Sequence, residues 1–223
     1  MKLSKETLNL IKNYASISSN LLLKPGKKLS TIHLQNKVFS NASIAEDFPI
    51  EFPIYDVNEL LSVLSLFNDP EIEFTEKFLT IREGNSSLKY FAASMGNMKV
   101  PPDKEVQFND IVAEFDMSAT LLTTIPRTAG VLKVDGLSLV GDGSTITIDI
   151  ADKKNPTSNS YSTTVGTTTE TFKVNVAVEN FKMLIGDYTV SIGRKGLRFK
   201  SKTTDLVYYV AIELDSVLPV KAE

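Results

Sequence analysis

Leu88-Lys89-Tyr90-Phe91-Ala92-Ala93 and Leu206-Val207-Tyr208-Tyr209-Val210-Ala211 are one strand written twice, 118 positions apart. Leu88 falls on Leu206, Tyr90 on Tyr208, Phe91 on Tyr209 and Ala93 on Ala211. The same offset sets Leu79 over Leu197, Ile72 over Val190, Phe74 over Ile192 and Lys77 over Lys195. Further upstream the offset becomes 120, pairing Glu59 with Glu179, Leu61 with Phe181, Val63 with Met183 and Leu64 with Leu184. Near the start of each half it is 114, with Leu3, Ser4, Leu8 and Ile11 over Met117, Ser118, Leu122 and Ile125. The second half therefore repeats the plan of the first. A duplicated unit is a device for building symmetry rather than for doing chemistry.

Composition narrows the chemistry further. The 223 residues divide into halves of ordinary domain size, and a hydrophobic fraction of 42% is enough for two cores. There is no cysteine and a single histidine, His33. Disulfides, thiolate metal sites, thiol nucleophiles and histidine-based triads or clusters are thereby excluded, and neither a metal nor another cofactor is expected. No apolar run reaches the roughly 18 residues of a membrane span. Lys2, Lys5, Glu6 and Lys12 interrupt the apolar residues of the N-terminus, so it does not read as a signal peptide. The net charge of -3 argues against a protein that binds nucleic acid over its whole surface. It leaves room for a basic patch on one face.

Each half reads as helix, strands, helix, strands, an α+β pattern. Ser4 is placed to cap a helix running to about Ser16. Leu8, Ile11 and Ala15 form its apolar stripe, widened by Leu3, Leu10, Tyr14 and Ile17. Lys5, Asn9, Lys12 and Ser16, at i, i+4, i+7 and i+11, form the opposite face. Strands are predicted at 21–24, 29–34, 38–44, 50–54, 71–74, 78–82 and 88–92, with a type II turn at Lys24-Pro25-Gly26-Lys27. A second helix spans 56–66 behind the cap Asp56. Residues 96–103, with Pro101-Pro102, read as an extended linker, and the predicted domains are 1–105 and 106–223 with the linker at about 96–110. The second half starts with a helix from Ser118 to about Ala129, burying Leu121, Leu122 and Ile125, which Pro126 is expected to kink or end. Strands follow at 108–115, 134–140, 145–150, 161–165, 171–176, 188–192, 197–200 and 206–214, and a short helix at 178–185 carries Lys182.

Several motifs have plain readings. Gly141-Asp142-Gly143-Ser144 lacks the ligands of a calcium loop and the ending of a P-loop, and reads as a hairpin turn. His33 reads as a strand residue. Glu71, Glu73 and Glu76 read as the solvated face of an edge strand, and the Ser/Thr-rich run 157–171 as a flexible loop. The lysine face of the first helix could be solvated surface alone. The repeat changes its meaning, because the matching helix carries Arg127, followed by Lys133. Equivalent helices gathered on one face would concentrate sparse basic residues where phosphates could be met. Such contacts hold position without reading sequence.

Specific runs match a known family. Met1-Lys2-Leu3-Ser4-Lys5-Glu6-Thr7, Ile11-Lys12-Asn13-Tyr14-Ala15-Ser16-Ile17 and Leu23-Lys24-Pro25-Gly26 carry the resemblance at the N-terminus. Ile54-Tyr55-Asp56-Val57-Asn58 with Leu64-Ser65-Leu66-Phe67-Asn68-Asp69 carries it in the middle, and Tyr208-Tyr209-Val210-Ala211 with Glu213 and Asp215 near the C-terminus. The chain resembles the sliding clamps, or polymerase processivity factors, of T-even-type bacteriophages. The resemblance is specific over residues 1–26 and 52–69 and diffuse between about 95 and 180.

What it implies is two similar domains of the DNA-clamp fold, with helices on one face of antiparallel sheets, assembled as a homotrimeric ring around duplex DNA. It further implies an ATP-dependent clamp loader, a polymerase tethered through its C-terminal peptide, coupling to late transcription, no catalysis, and action in the cytoplasm of an infected bacterial host. By family position Lys2, Lys5, Lys12, Arg127, Lys133 and Lys182 would face the lumen, with Asn9, Thr120, Thr123 and Thr124 as its small polar residues. The helix at 56–66 has acids and no base. The partner peptide would dock on Tyr209, Ala211 and Ile212 with Val106 and Phe108 from the linker side. Alternation separates Tyr209 and Ala211 from Tyr208 and Val210, so one pair can line a groove and the run could equally be plain core. Two rival readings remain: a phage tail- or tube-type β-rich structural protein, and a small-molecule-binding β enzyme, which would need convergent titratable groups that the sequence does not display.

Overall fold

A computed structural model describes residues 1–102, 106–155 and 157–220. Residues 103–105, where the linker boundary falls, and residue 156 in the Ser/Thr-rich run lie outside the described residues. The chain divides into two compact units, Met1–Lys104 and Glu105–Glu223.

The first unit opens with helix α1 (Lys5–Ile17), capped by Ser4, whose hydroxyl accepts from the Thr7 amide at 3.2 Å. Thr7, Leu10, Ile11, Tyr14 and Ile17 form its buried face, while Leu8 and Ala15 are only half-buried. Strands β1 (Leu21–Leu23), β2 (Gly26–Ile32), β3 (Val38–Phe48) and β4 (Phe52–Ile54) follow. β1 pairs with β4, and β2 with β3. Gly26 has the positive φ, 104°, that the third position of a type II turn requires. His33 lies just past β2 in the β2–β3 turn, where its Nδ1 accepts from the Gln35 amide at 3.3 Å.

Helix α2 (Val57–Leu64) is capped by Asp56, which accepts from the amides of Asn58 at 2.9 Å and Glu59 at 3.4 Å. It leads into the antiparallel sheet β5 (Glu71–Phe74), β6 (Phe78–Glu83) and β7 (Ser86–Phe91). Residues 95–97 form a single 3₁₀ turn. Leu10, Ile11, Tyr14, Leu29, Phe48 and Phe52 are among the core of this unit. Phe74 meets Phe48 and Phe52 edge-on, with centroids 5.8 and 6.2 Å away.

In the second unit β8 (Ile111–Met117) precedes helix α3 (Ala119–Leu132). β9 (Gly136–Asp142), β10 (Thr145–Ile150), β11 (Tyr161–Thr167) and β12 (Thr171–Ala177) make a sheet in the order β11-β10-β9-β12. The β9–β10 turn is the hairpin expected, with Asp142 accepting from the amides of Ser144 at 2.8 Å and Thr145 at 2.7 Å. β13 (Tyr188–Gly193), β14 (Gly196–Ser201) and β15 (Leu206–Ala211) line up beside β8 in the order β8-β13-β14-β15.

Three expectations fail here. The Ser/Thr-rich run 157–171 is not a loop throughout, because β11 crosses it and pairs with β10 from Tyr161 to Thr167. α3 does not end at Pro126, one of the two outcomes expected of it, but continues to Leu132. Leu122 and Ile125 before the proline and Ala129 after it are all buried, and that packing outweighs one missing backbone bond. The predicted helix at 178–185 shrinks to a 3₁₀ turn, Val178–Asn180. The Leu184 amide donates to Tyr208 Oη at 3.2 Å and its carbonyl accepts from Tyr188 Oη at 2.7 Å, so the tyrosines satisfy the groups a helix would have used. Lys182 therefore stands on no helix.

The repeat survives at the level of single bonds. Met1 and Ile72 exchange both backbone hydrogen bonds, each at 2.7 Å. Met1 stands 114 positions before Phe115 and Ile72 stands 118 before Val190, and Phe115 is paired with Val190 between β8 and β13. The first unit keeps one residue of the strand that the second has in full.

Candidate nucleic-acid face and partner groove

The exposed face of α1 follows from its buried one. With Leu10, Ile11, Tyr14 and Ile17 turned inward, Lys5, Asn9, Lys12 and Ser16 are exposed together on the other side. Among the described residues neither Lys5 nor Lys12 has an ion-pair partner. Lys5 occupies the first helical position, where a cation opposes the helix dipole by about 0.3–1 kcal/mol. Helix stability alone does not account for its being there.

Glu46 of β3, which the sequence reading did not single out, offsets this. Its carboxylate is buried and accepts the Ser4 amide and the Thr7 hydroxyl at the N-terminus of α1. Burial pushes its pKa up, but the bonds from Ser4 and Thr7 prevail and hold it below the ordinary value. No local pattern marks Glu46, because the contact spans about 40 residues of sequence and exists only once β3 packs on α1.

On α3, Thr120, Thr123 and Arg127 are exposed and Thr124 half-exposed, opposite the buried Leu122, Ile125 and Ala129. The threonine hydroxyls of 123 and 124 both donate to the Thr120 carbonyl, at 2.9 and 2.8 Å. Arg127 keeps its helical position because the helix does not break at Pro126.

The other basic candidates differ in setting. The Lys2 ammonium pairs with Asp69, and that hydrogen bond raises its pKa. Lys133 is exposed at the C-cap of α3, with φ 58°. Lys182 is half-buried. α2 carries Glu59 and no base, as expected.

Of the groove candidates, Phe108, Tyr209 and Ala211 lie on one face of β13, β14 and β15. Tyr208 and Val210 are buried, Tyr209 and Ala211 half-exposed, so alternation resolves in favour of the second pair. Pairing register aligns Glu114, Ser191, Arg198 and Tyr209 in one row across the sheet, and Gly193, Gly196 and Ala211 in the next. The Phe108 ring lies over this second row, 5.8 Å from the Tyr209 ring, with the Arg198 guanidinium 5.2 Å from its centroid. Val106 and Ile212 are half-buried near the two ends of the unit's chain path, outside any strand. Arg198 and Gly193 are additions that a cross-strand register alone reveals. The pair of glycines flanking the Arg194-Lys195 turn was the available signal. Gly196 has an ordinary φ, and its need for glycine comes instead from close approach: a Cβ there would sit 2.6 Å from the Val210 carbonyl oxygen.

Among the described residues no group of three or more His, Cys, Asp or Glu is arranged to hold a metal ion. No helix is long and apolar enough to cross a membrane, which leaves strands unaddressed.

Two repeated units of antiparallel sheets, with α1 and α2 in the first and α3 in the second, are the architecture of the DNA clamps. Solved structures agree. A. fulgidus PCNA, in complex with the C-terminal region of FEN-1, aligns with a TM-score of 0.70 over 100% of this chain and 98% of that one, at 13% identity. PCNA from Thermococcus kodakaraensis gives 0.69 over 94% and 96%, at 14% identity. These likenesses define the fold. A family model described as DNA polymerase processivity factor matches residues 4–100. The chain is 31% identical to the sliding clamp of Vibrio phage KVP40, over 96% of this chain and 99% of that protein. It is 30% identical to those of Escherichia phage RB69 and Enterobacteria phage T4, over 97% of this chain and 98% of each. The chain belongs to the phage sliding clamps, the processivity factors of DNA polymerase.

Proposed function

We propose that this protein closes as a ring on duplex DNA, slides without reading sequence, and tethers its polymerase by a C-terminal peptide. The observation that carries this reading is the exposed face of α1, Lys5-Asn9-Lys12-Ser16, with its counterpart Thr120-Thr123-Arg127 on α3. Each face sets one or two cations among small polar groups. That is enough to attract phosphates and too little to arrest a moving duplex. Lys5, Lys12 and Arg127 make the core of the DNA-facing set. Lys133 at the end of α3 extends it. Lys2 is engaged by Asp69, and Lys182 contributes least.

Sheet edges support assembly. The backbone of Met1 covers β5, and Val217 covers β12 through bonds of 2.8 and 2.7 Å with Lys173. Among the described residues, the opposite outer strands of those two sheets, β7 and β11, keep open edges, one in each unit; β2 and β8 are outer strands as well. Two different open edges favour head-to-tail association of identical copies, which closes into a ring when the rotation allows. The count of three follows the family resemblance, as do an ATP-dependent loader, late-transcription partners and action in the host cytoplasm. The protein's part is mechanical, with no catalysis of its own. The full-length likeness to sliding clamps favours this over a tail- or tube-type structural role.

The experiment is retention on DNA. Loaded onto a nicked circle, the protein should remain through a salt wash and leave once the circle is cut. Equal loss from circular and linear DNA, or growth into open-ended polymer, would defeat the reading.

A further inference from the structure

Phe108 sits where a guest would sit. Its ring covers Gly193 so closely that a Cβ on that residue would lie 2.6 Å from Phe108 Cζ. The cross-strand partners Tyr209 and Arg198 both border the ring, at 5.8 and 5.2 Å from its centroid. The ring thus fills a trough built for an aromatic side chain, with a glycine floor, an aromatic wall and a cation.

The backbone around it is free by contrast. Among the described residues no hydrogen bond holds Val106, Gln107, Phe108 or Asn109. Asp110 follows with φ 59°, and Val112 bulges out of register opposite the Ile192–Gly193 step. Irregular backbone of this kind aims Phe108 at the sheet without pairing its chain to the strands. Arg198 is not fully satisfied either. One of its terminal nitrogens donates to Ser191 Oγ at 2.9 Å and approaches Glu114 at 3.5 Å, but its Nε, shut off from solvent, has no acceptor.

Taking the partner groove assigned above as its basis, we propose that Phe108 is the groove's resident occupant. A partner peptide docks by displacing this ring with an aromatic side chain of its own, and an acidic group beside that aromatic reaches Arg198. Phe108 is then a competitor of the partner rather than part of its binding wall. A groove open for a fraction f of the time binds with an apparent Kd of the intrinsic Kd divided by f. Removing the ring should therefore tighten binding.

The test uses the assembled protein and a synthetic peptide of the cognate polymerase's C-terminus. Phe108→Ala should bind about tenfold more tightly, the outcome for a groove closed nine-tenths of the time, whereas weaker binding would overturn the proposal. The chain has no tryptophan, so Phe108→Trp provides a sole indole at the site. Its emission should shift to the red as the peptide enters and the indole moves into water. Emission that stays blue at peptide saturation would also overturn it. Tyr209→Ala separates the two levels of inference. Weaker binding by both Tyr209→Ala and Phe108→Ala retains the groove and removes the occupant, and unchanged binding by Tyr209→Ala removes both.

Discussion

Glu46 accepts the hydroxyl hydrogen bond of Thr7, and this contact ties β3 to the first turn of the helix that presents Lys5 and Lys12. The same carboxylate takes the Ser4 amide, so one buried acid completes the N-terminal cap. Its folded pKa lies below the ordinary glutamate value. The sign follows: the stabilisation is fully present above the unfolded pKa and is lost as pH falls through the folded one. Glu46→Gln is expected to cost about 1.5–3 kcal/mol near pH 7, the range for hydrogen bonds to charged groups. The gap between the two proteins should narrow below pH 4.5. Urea unfolding at a series of pH values checks this, and a gap that widens in acid would contradict it.

Lys5→Glu with Lys12→Glu should leave unfolding within about 0.5 kcal/mol per site, because both side chains are exposed and, among the described residues, without an ion-pair partner. Processive synthesis at moderate salt should fall sharply, since two charges per subunit change sign at the proposed DNA face, a shift of four units. Adding Arg127→Glu should deepen the loss. Primer-extension length in single-turnover reactions is the readout, and unchanged length would move the DNA face elsewhere.

Tyr209→Ala should weaken the polymerase peptide by about 1–2 kcal/mol, five- to thirtyfold, as truncation of an aromatic contact at an interface does. The buried neighbour Tyr208 reports something different. Its hydroxyl accepts the Leu184 amide, so Tyr208→Phe should destabilise the fold by about 1 kcal/mol and leave peptide affinity alone. Titration calorimetry paired with thermal unfolding distinguishes the two.

Pro126→Ala should stabilise the protein. An interior helical proline costs about 3 kcal/mol relative to alanine, and the proline's restriction of the unfolded chain returns about 0.4–1 kcal/mol, leaving about 2 kcal/mol. A guanidinium midpoint that does not rise would mean that the helix has relaxed around the proline completely.

Gly196→Ala should do the reverse. The added methyl meets a backbone carbonyl at 2.6 Å, which no side-chain rotation can relieve, so a loss of about 1–3 kcal/mol is expected. A thermal midpoint lowered by several degrees is the corresponding measurement.

Local signals in the sequence were read well wherever local forces decide. Ser4 and Asp56 cap their helices, β5 and β10 fall on the expected residues, and Lys5 to Ser16 emerge as one exposed face. The misreadings share a cause. Pro126 was judged by backbone chemistry, yet buried residues on both sides hold the helix. Residues 178–185 repeat the second helix of the first half at an offset of 120, yet two tyrosines from β13 and β15 claim the Leu184 backbone. The groove was half legible: alternation separated Tyr209 from Tyr208, but Arg198 and Gly193 join it only through pairing between strands. Whether Phe108 lines the groove or fills it lies beyond any one-dimensional pattern.

Met1 on β5 and Val217 on β12 act as stoppers, and their effect reaches past the strands they touch. A sheet edge that already carries a backbone partner has fewer free amides and carbonyls to offer a neighbouring chain. The two stoppers therefore narrow the choice of edges on which copies of the chain could pair, before any charge on its surface is considered.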